Sequence, residues 1–266
     1  MYDQSHEFLR QCWLEWLGEQ TDRAVADVFG YHAIQLGMPE LDGLRANRMP
    51  HQWLADVDSY GADWRSLSAA EPGHAPRPID VDCDSHALPF ESSSLDLVLM
   101  PHTLERAGAP HETLREVARV LMPEGHVVIA GLNPFSLWAL RQRRFDWAQR
   151  LGIQRGVQAS PFDVAAKHWI GVWRLRDWLK LLGFEVRMVN MGMYRPGVAS
   201  TKWAQRWSGL DAWGQKLWPV AGSVYVLVAV KRVRGMRLMG PPWVRKRVRG
   251  RAAVKQPASA MNREQD

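Results

Sequence analysis

Four predicted strands of this sequence are each followed by a glycine, a carboxylate or an imidazole. These groups are Gly37, Asp56 or Asp58, Asp84, and His102. Glycine lets the backbone approach a ligand closely, and a carboxylate at a strand end can accept hydrogen bonds from ribose hydroxyls or an adenine amine. Ligands of open parallel sheets bind beyond the carboxyl ends of the strands. The four groups therefore predict a pocket for a nucleoside-containing ligand.

The elements that must position these groups are short apolar segments separated by turn signals. The predicted strands are residues 31–36, 52–57, 77–81, 95–100, 126–130, 184–189 and 223–230. The nearly unbroken apolar run from Leu95 to Met100 is typical of a central parallel strand that is covered on both faces. An amphipathic helix is predicted from Pro110 to Met122, stopped by Pro123 and Gly125. This order of elements predicts an α/β fold.

The first thirty residues predict a helical segment ahead of the sheet. Thr21-Asp22 has the residue types that cap a second short helix. One apolar face of the first helix is made of Phe8, Leu9, Cys12, Trp13, Trp16 and Leu17. The spacing favours a helix that packs on its own domain, and a groove for a partner is the alternative.

Composition excludes several classes of protein. No apolar run reaches the roughly 18 residues that a membrane-spanning helix needs, and the mixed charges of the N-terminus argue against a signal peptide. The two cysteines, Cys12 and Cys83, have no metal-ligand spacing, so no metal is expected and a reduced, cytoplasmic location is predicted.

Charge and tryptophan are unevenly distributed along the chain. Residues 231–266 carry eleven Lys or Arg and two Asp or Glu, so the rest of the chain has a net charge of −3 against +6 overall. We predict that 235–266 is a disordered tail, and that 231–251 binds RNA or another polyanion or is simply solvated. Nine of fourteen tryptophans fall between 138 and 218, and helical insertions are predicted at 134–173 and 191–222. These tryptophans predict core and lid packing, with an aromatic cage or a base-stacking platform as the alternative.

Several motifs in the middle of the chain resemble those of a known family. They are Asp84-S-H-A-Leu-Pro-Phe90, S-x-Asp96-Leu-Val, Leu104-Glu105, Leu114-x-Glu116-x-x-Arg119-Val-Leu, and Met122-Pro-x-Gly125. In this order and with these gaps, the chain resembles the class I S-adenosylmethionine-dependent methyltransferases of the type 11 group. The resemblance covers roughly residues 31–131, and segments 174–189 and 223–230 look like the family's closing helix and last two strands.

The resemblance implies a doubly wound, Rossmann-like sheet of seven mostly parallel strands, in the order 3-2-1-4-5-7-6, over residues 31–234. It implies that S-adenosylmethionine is the cofactor, that Asp84 contacts the adenine amine and that Ser85 contacts the ring edge. An acid after the second strand, Asp56 or preferably Asp58, would hold the ribose hydroxyls. His102 would lie near the methionine portion of the cofactor or at the substrate mouth.

The first motif departs from the family pattern. The family has a glycine-rich turn of the form D-x-G-x-G-x-G after the first strand, whereas this chain has Gln35-Leu-Gly37-Met38-Pro39-Glu40. Two hypotheses follow: an enzyme that transfers a methyl group to an unidentified acceptor, or an inactive methyltransferase-fold scaffold whose Met38 or Pro39 fills the pocket. A Rossmann dehydrogenase is disfavoured because its G-x-G-x-x-G fingerprint is absent after this strand.

Individual residues also have purely structural interpretations. Asp84 could cap the following turn, and His102 could be a structural hydrogen-bonding residue. Glu116 and Arg119 predict an ion pair on a helix surface. Asn133, in the sequence Asn-Pro-Phe, partly resembles the N-P-P-F/Y motif of amino-group methyltransferases, and it is our candidate for contact with the acceptor.

Overall fold

The computed structural model describes residues 3–57, 77–136, 138–140, 169–194 and 222–233, and of residues 3–9 it describes the backbone alone. Contacts divide the chain into two units, Met1–Val233 and Arg234–Asp266. The second unit and most of both predicted insertions lie outside the described residues, so the predicted domain boundaries and the predicted tail remain predictions. The helices among the described residues are α1 (Asp3–Val25), α2 (Thr103–Arg106), α3 (Pro110–Val120) and α4 (Val172–Leu181).

The strands form one sheet in the described part of the chain. They are β1 (His32–Leu36), β2 (His51–Val57), β3 (Val81–Cys83), β4 (Leu95–Pro101), β5 (Leu121–Leu132), β6 (Phe184–Gly192) and β7 (Val224–Lys231). Their spatial order is β3-β2-β1-β4-β5-β7-β6, and β7 alone runs antiparallel to its two neighbours in that sheet. The predicted fold and strand order are confirmed.

Apolar side chains alternate between the two faces of the sheet. On one face α1 packs through Trp13 and Leu17 against residues such as Leu97 and Val128. The other face is covered by α3 and α4, which bury side chains such as Leu114 and Leu175. Because successive side chains of a strand point to opposite faces, the central strands must be apolar on both. Helices on both faces make the sheet doubly wound.

The N-terminal segment is one continuous helix, and the predicted second helix beginning at Thr21-Asp22 is wrong. The Thr21 hydroxyl donates to the backbone oxygens of Leu17 and Gly18, both at 2.9 Å, instead of capping a new helix. A threonine that bonds to the preceding turn is compatible with an uninterrupted helix. The helix ends at Val25.

Two predicted boundaries shift because contacts with a neighbouring strand outweigh local sequence. The third strand begins at Val81 instead of 77, since the Asp80 carboxylate accepts from the Leu54 N–H at 2.8 Å, so a side chain holds β2 at this point. Helix α3 ends at Val120, two residues earlier than predicted, because Leu121 pairs with Leu95 and starts β5. Leu121 fits the apolar period of the helix equally well, so the sequence alone did not separate the two states.

No helix in the described ranges is long and apolar enough to cross a membrane.

Candidate functional site

The carboxyl ends of β3, β2, β1 and β4 lie side by side, because these strands are parallel neighbours in the sheet. Gly37, Asp84 and His102 follow three of these strands, and Asp56 lies near the end of the fourth. Chain order reverses between β1 and β4, which is where open α/β sheets form their ligand crevice. The predicted groups therefore share one edge. Asp58, the preferred acid for ribose, lies outside the described residues.

The turn after β1 is organised by a glutamine side chain. The buried amide nitrogen of Gln35 lies 3.1, 2.9 and 2.7 Å from the backbone oxygens of Gly37, Met38 and Leu41. Its amide oxygen accepts the Gly43 N–H at 3.0 Å. Gly37 and Met38 both adopt positive φ, 79° and 52°, of which the second is unusual for a residue with a side chain. The turn therefore directs carbonyl groups toward residue 35.

The same turn is filled by its own side chains. Met38 is 1% exposed and packs with the α1 side of the core, and Pro39 is also buried. No helix forms within residues 37–50. The core on the α1 side of the sheet is completed by apolar side chains from this irregular segment, those of Leu41, Leu44 and Met49. The turn after β1 thus holds buried side chains, those of Met38 and Pro39, where the family motif implies glycines.

Glu40 places a largely buried carboxyl group at this edge. Burial raises its pKa, although its own backbone N–H and the guanidinium groups of Arg10 and Arg106 oppose that rise. The Arg10 guanidinium lies 4.0 Å from its Oε1 atom. Arg10 belongs to α1, so the N-terminal helix reaches the carboxyl edge of the sheet.

The segment after β3 has an exposed acid, Asp84, followed by a buried hydroxyl, that of Ser85. The Asp84 side chain is 71% exposed, and its Oδ1 atom lies 3.6 Å from His86 Nδ1. Ser85 is fully buried, and its hydroxyl lies 3.1 Å from the Thr113 hydroxyl of α3. Asp84 can therefore contact a ligand directly, whereas the Ser85 side chain fixes the segment to α3. Asp56, the alternative acid for ribose, is buried at the end of β2.

Glu116 and Arg119 are a surface pair only in part, because both also bind the segment that follows Asp84. Glu116 Oε1 accepts the Leu88 N–H at 2.9 Å, and the Arg119 guanidinium donates to the backbone oxygen of Phe90 at 2.9 Å and to Glu116 at 2.7 Å. The hydrogen bond from Arg119 lowers the pKa of Glu116. The E-x-x-R spacing signalled the pair, but nothing in the sequence signalled its attachment to residues 88–90.

His102 is fully buried and pairs with Glu105, a residue that received no role from sequence. Its Nδ1 atom lies 2.7 Å from Glu105 Oε2, and both side chains are almost completely inaccessible. The other carboxylate oxygen of Glu105 accepts the Leu132 N–H of β5. The hydroxyl of the next residue, Thr103, donates to the Leu36 carbonyl at 2.5 Å and ties α2 to β1. The i, i+3 spacing of His102 and Glu105 was the available signal.

Asn133 is buried after β5 and organises two backbone segments. Its side-chain amide donates to the Gly222 carbonyl at 2.8 Å and accepts the Phe135 N–H at 3.1 Å. Phe135 is 69% exposed beside it. Contact with the acceptor remains a prediction for this residue. Within the described ranges no group of three or more His, Cys, Asp or Glu side chains is arranged to hold a metal ion.

Comparison with known proteins shows which class of protein the chain resembles. Residues 52–129 match a family model described as a methyltransferase domain, of the type 11 group. The match begins after the Gln35 turn and ends inside β5. Over these residues, and in its strand order, the chain resembles the class I S-adenosylmethionine-dependent methyltransferases. S-adenosylmethionine is the cofactor of this class.

Two curated relatives and one solved structure illustrate the similarity. The Escherichia coli (strain K12) protein YafS, described as uncharacterized, is 30% identical over 185 residues, covering 66% of this chain and 65% of its own length. The malonyl-[acyl-carrier protein] O-methyltransferase of Halorhodospira halophila is 38% identical over 95 residues, which are 36% of this chain and 30% of that protein. This chain therefore spans less than two thirds of either relative.

A solved S-adenosylmethionine-dependent methyltransferase from Archaeoglobus fulgidus superposes with a TM-score of 0.51 at 16% identity, over 82% of this chain and 94% of that one. At this identity the superposition supports the fold.

Proposed function

We propose that this chain transfers the methyl group of S-adenosylmethionine to an acceptor. The observation that carries the proposal is the exposed carboxylate of Asp84. It lies at the carboxyl ends of the parallel strands, within the residues that match a methyltransferase domain. When bound, the cofactor would supply an electrophilic methyl group on a sulfonium.

The adenine end of the site fits a nucleoside. The Asp84 carboxylate is accessible and can accept hydrogen bonds from the adenine amine. Ser85, anchored to Thr113, would set the position of the backbone beside the ring edge, and the Glu116–Arg119 pair would keep residues 88–90 in place. These supports exist before any ligand binds, which limits the entropy lost on binding.

The turn after β1 is built differently from the family motif, and we propose the following roles for the residues around the rest of the cofactor and the acceptor. Gly37 has the left-handed backbone that a tight turn under a ligand requires. We assign Asp58 to the ribose hydroxyls and place His102 near the methionine portion of the cofactor. Asn133 would position the exposed Phe135 on the acceptor side.

Isothermal titration with S-adenosylmethionine and S-adenosylhomocysteine tests the proposal. Asp84→Ala should weaken both affinities by about 10- to 100-fold, the worth of a hydrogen bond to a charged group. Asp82→Ala is the matched control, because Asp82 is an exposed aspartate of β3, two residues before Asp84. Equal affinities for wild type and Asp84→Ala would remove Asp84 from the site.

The rebuilt turn favours a second candidate function, a scaffold without methyl transfer. Met38 and Pro39 are buried within the turn where the family has glycines. On this hypothesis they fill the methionine site, and the chain acts through its basic segment 231–251 on RNA or another polyanion. If neither cofactor form binds at millimolar concentration while circular dichroism shows an intact fold, the scaffold replaces the enzyme.

We also propose that the protein works in the cytoplasm, since its sequence has only two cysteines, Cys12 and Cys83, and they lack metal-ligand spacing. Alkylation of both thiols in intact cells, before any reductant is added, would support this location, and protection of either would contradict it.

A further inference from the structure

His102 and Glu105 form a buried imidazole–carboxylate pair with a defined direction. Glu105 accepts the Leu132 N–H with one oxygen, and its other oxygen lies 2.7 Å from His102 Nδ1. A carboxylate that accepts fixes the proton of a neutral imidazole on the nitrogen it faces. In a neutral imidazole that donates to Glu105 in this way, Nδ1 carries the proton and Nε2 carries the lone pair.

The Nε2 atom has no hydrogen-bond partner among the described residues, although the side chain is fully buried. Buried polar atoms in folded proteins are nearly always paired, so an unpaired one requires an explanation. The backbone of His102 is also in the left-handed region, with φ at 56°, which a non-glycine residue adopts at an energetic cost. His102 therefore combines an unpaired buried nitrogen with a strained backbone. An apolar side chain in a turn with negative φ would have neither cost.

The surroundings of this nitrogen belong to the ligand edge. His102 follows β4, and Thr103 is bound to the last residue of β1, so the imidazole lies at the point where chain order reverses. The Trp13 ring of α1 lies over the imidazole with the ring centroids 5.1 Å apart. The indole is 5% exposed and separates the imidazole from solvent. A lone pair on Nε2, shielded from water at the carboxyl edge of the sheet, can accept a proton from a bound reactant.

We propose that His102 Nε2 is the proton acceptor in methyl transfer, positioned by Glu105, and that the methyl acceptor therefore carries a proton on its nucleophilic atom. The inference rests on the proposed methyl transfer. The acceptor's X–H bond breaks and its proton goes to Nε2, while the X–H electron pair stays on X. A lone pair of X forms the new bond to the methyl carbon, and the methyl–sulfur bond breaks with its electron pair remaining on sulfur.

This assignment selects a substrate class. Hydroxyl, phenol and primary or secondary amine acceptors lose a proton when they are methylated, so they use a base. Thioethers and tertiary amines have no proton to lose, so a general base does not accelerate their methylation. Glu105 does not touch the reactants on this proposal and acts through the orientation of the imidazole.

The rate test uses methyl-tritiated S-adenosylmethionine and a heat-treated soluble extract of cells that lack the protein. His102→Gln should lower kcat for incorporation by about 100-fold or more, the usual contribution of a general base, and this loss should exceed any change in KM for the cofactor or in affinity for S-adenosylhomocysteine. His51→Gln is the control, because His51 is exposed at the opposite, amino end of β2. A His102→Gln rate within threefold of wild type, or label on a thioether or tertiary amine, overturns the inference.

A measurement on the unaltered protein guards against a variant that fails to fold. Histidine labelled with ¹⁵N should show His102 with Nδ1 protonated and Nε2 unprotonated, and Glu105→Gln should mix the two tautomers. A proton on Nε2 in the wild type overturns the inference. Absence of S-adenosylhomocysteine binding by the wild type, or of incorporation despite binding, refutes the proposed function itself and is separately visible in the titration.

Discussion

Gln35 stands where the glycine-rich family motif has an acid, and its surroundings explain why an acid does not fit. Its amide nitrogen faces three backbone oxygens, those of Gly37, Met38 and Leu41. An ionised carboxylate only accepts hydrogen bonds, so at this position it would face acceptors with no donor between them. The turn and the amide therefore depend on each other.

Gln35→Glu should therefore destabilise the protein at neutral pH by about 3–5 kcal/mol, the usual consequence of a buried charge without a partner. Urea unfolding measures this loss. The loss should shrink as pH falls, since a protonated carboxyl regains a donor. Gln11→Glu makes the same change at an exposed position of α1 and should stay within about 0.5 kcal/mol of wild type. A Gln35→Glu protein as stable as the control would contradict the described turn.

Glu40→Gln tests the buried carboxyl group beside Arg10. Burial raises the folded pKa of Glu40 above its unfolded value, so its contribution to stability is complete below the unfolded pKa and is lost as pH rises through the folded pKa. Glutamine does not ionise and escapes that loss. At pH 7 the variant should be more stable by on the order of 1 kcal/mol, or roughly 2–4 °C in Tm, and near pH 4 the difference should vanish.

The control for this pH dependence is Glu15→Gln, which changes an exposed carboxylate of α1. Its Tm should follow that of wild type at both pH values. A Glu40→Gln protein less stable than wild type at pH 7 would show instead that the attraction of Arg10 and Arg106 outweighs the burial of the carboxyl group.

At the residue scale, sequence located the right positions but not their contacts. Asp84 is exposed at the turn after β3, and the sequence already indicated a turn that begins at this residue. The pairing of His102 with Glu105 and the role of Gln35 depend on where β1, β4 and β5 end relative to one another. Such distances between strand ends arise from tertiary packing and leave no local pattern.

At the scale of elements, α1 does more than pack on the sheet, because it crosses the carboxyl edge. Arg10 approaches Glu40 after β1, Trp13 covers His102 after β4, and Trp16 lies against Gly192 at the end of β6. The apolar period of α1 predicted its buried face, and Trp13 and Leu17 are indeed buried. Which strand ends that face meets was beyond the sequence, because periodicity specifies a face and not its partner.

Gly192→Ala tests the contact between α1 and β6. A Cβ atom at this position would lie 2.2 Å from Cε2 of Trp16, so the indole must move. We expect a loss of about 1–3 kcal/mol in unfolding free energy, the usual range for overpacking, and partial recovery in the double variant with Trp16→Leu. Gly108→Ala is the control, since a Cβ atom there meets nothing within 4 Å. Equal stabilities of Gly192→Ala and Gly108→Ala would place α1 elsewhere.

The connection between β1 and β2 shows where element prediction failed and why. Both strands were predicted to within one residue, because their apolar residues fit the sheet on both faces. The residues between them combine prolines with a weak helical period, and the structure resolves this conflict with side-chain bonds from Gln35 and Asn47. Irregular segments held by individual side chains lack the repetition from which elements are predicted.

For the whole molecule, the strand order followed from a family resemblance, whereas the charge distribution was plain in the sequence itself. Eleven of the 34 basic residues fall in the last 36 positions, on a chain whose remainder is mildly acidic. A compact unit ends at Val233, shortly after β7. We predict that any binding of a polyanion by these basic residues is separable from methyl transfer.

Removal of residues 234–266 should therefore leave the affinity for S-adenosylhomocysteine within twofold and lower the affinity for a 20-nucleotide single-stranded RNA at least tenfold. Replacing the five basic residues between 245 and 251 by serine keeps the length of the tail and isolates the effect of charge. For single strands, log K falls with log salt by about 0.7 for each phosphate neutralised, so this variant should reduce the slope by roughly 3. Filter binding between 50 and 300 mM KCl measures the slope. RNA binding by the truncated chain that equals that of the full chain would assign the tail no role in nucleic-acid binding.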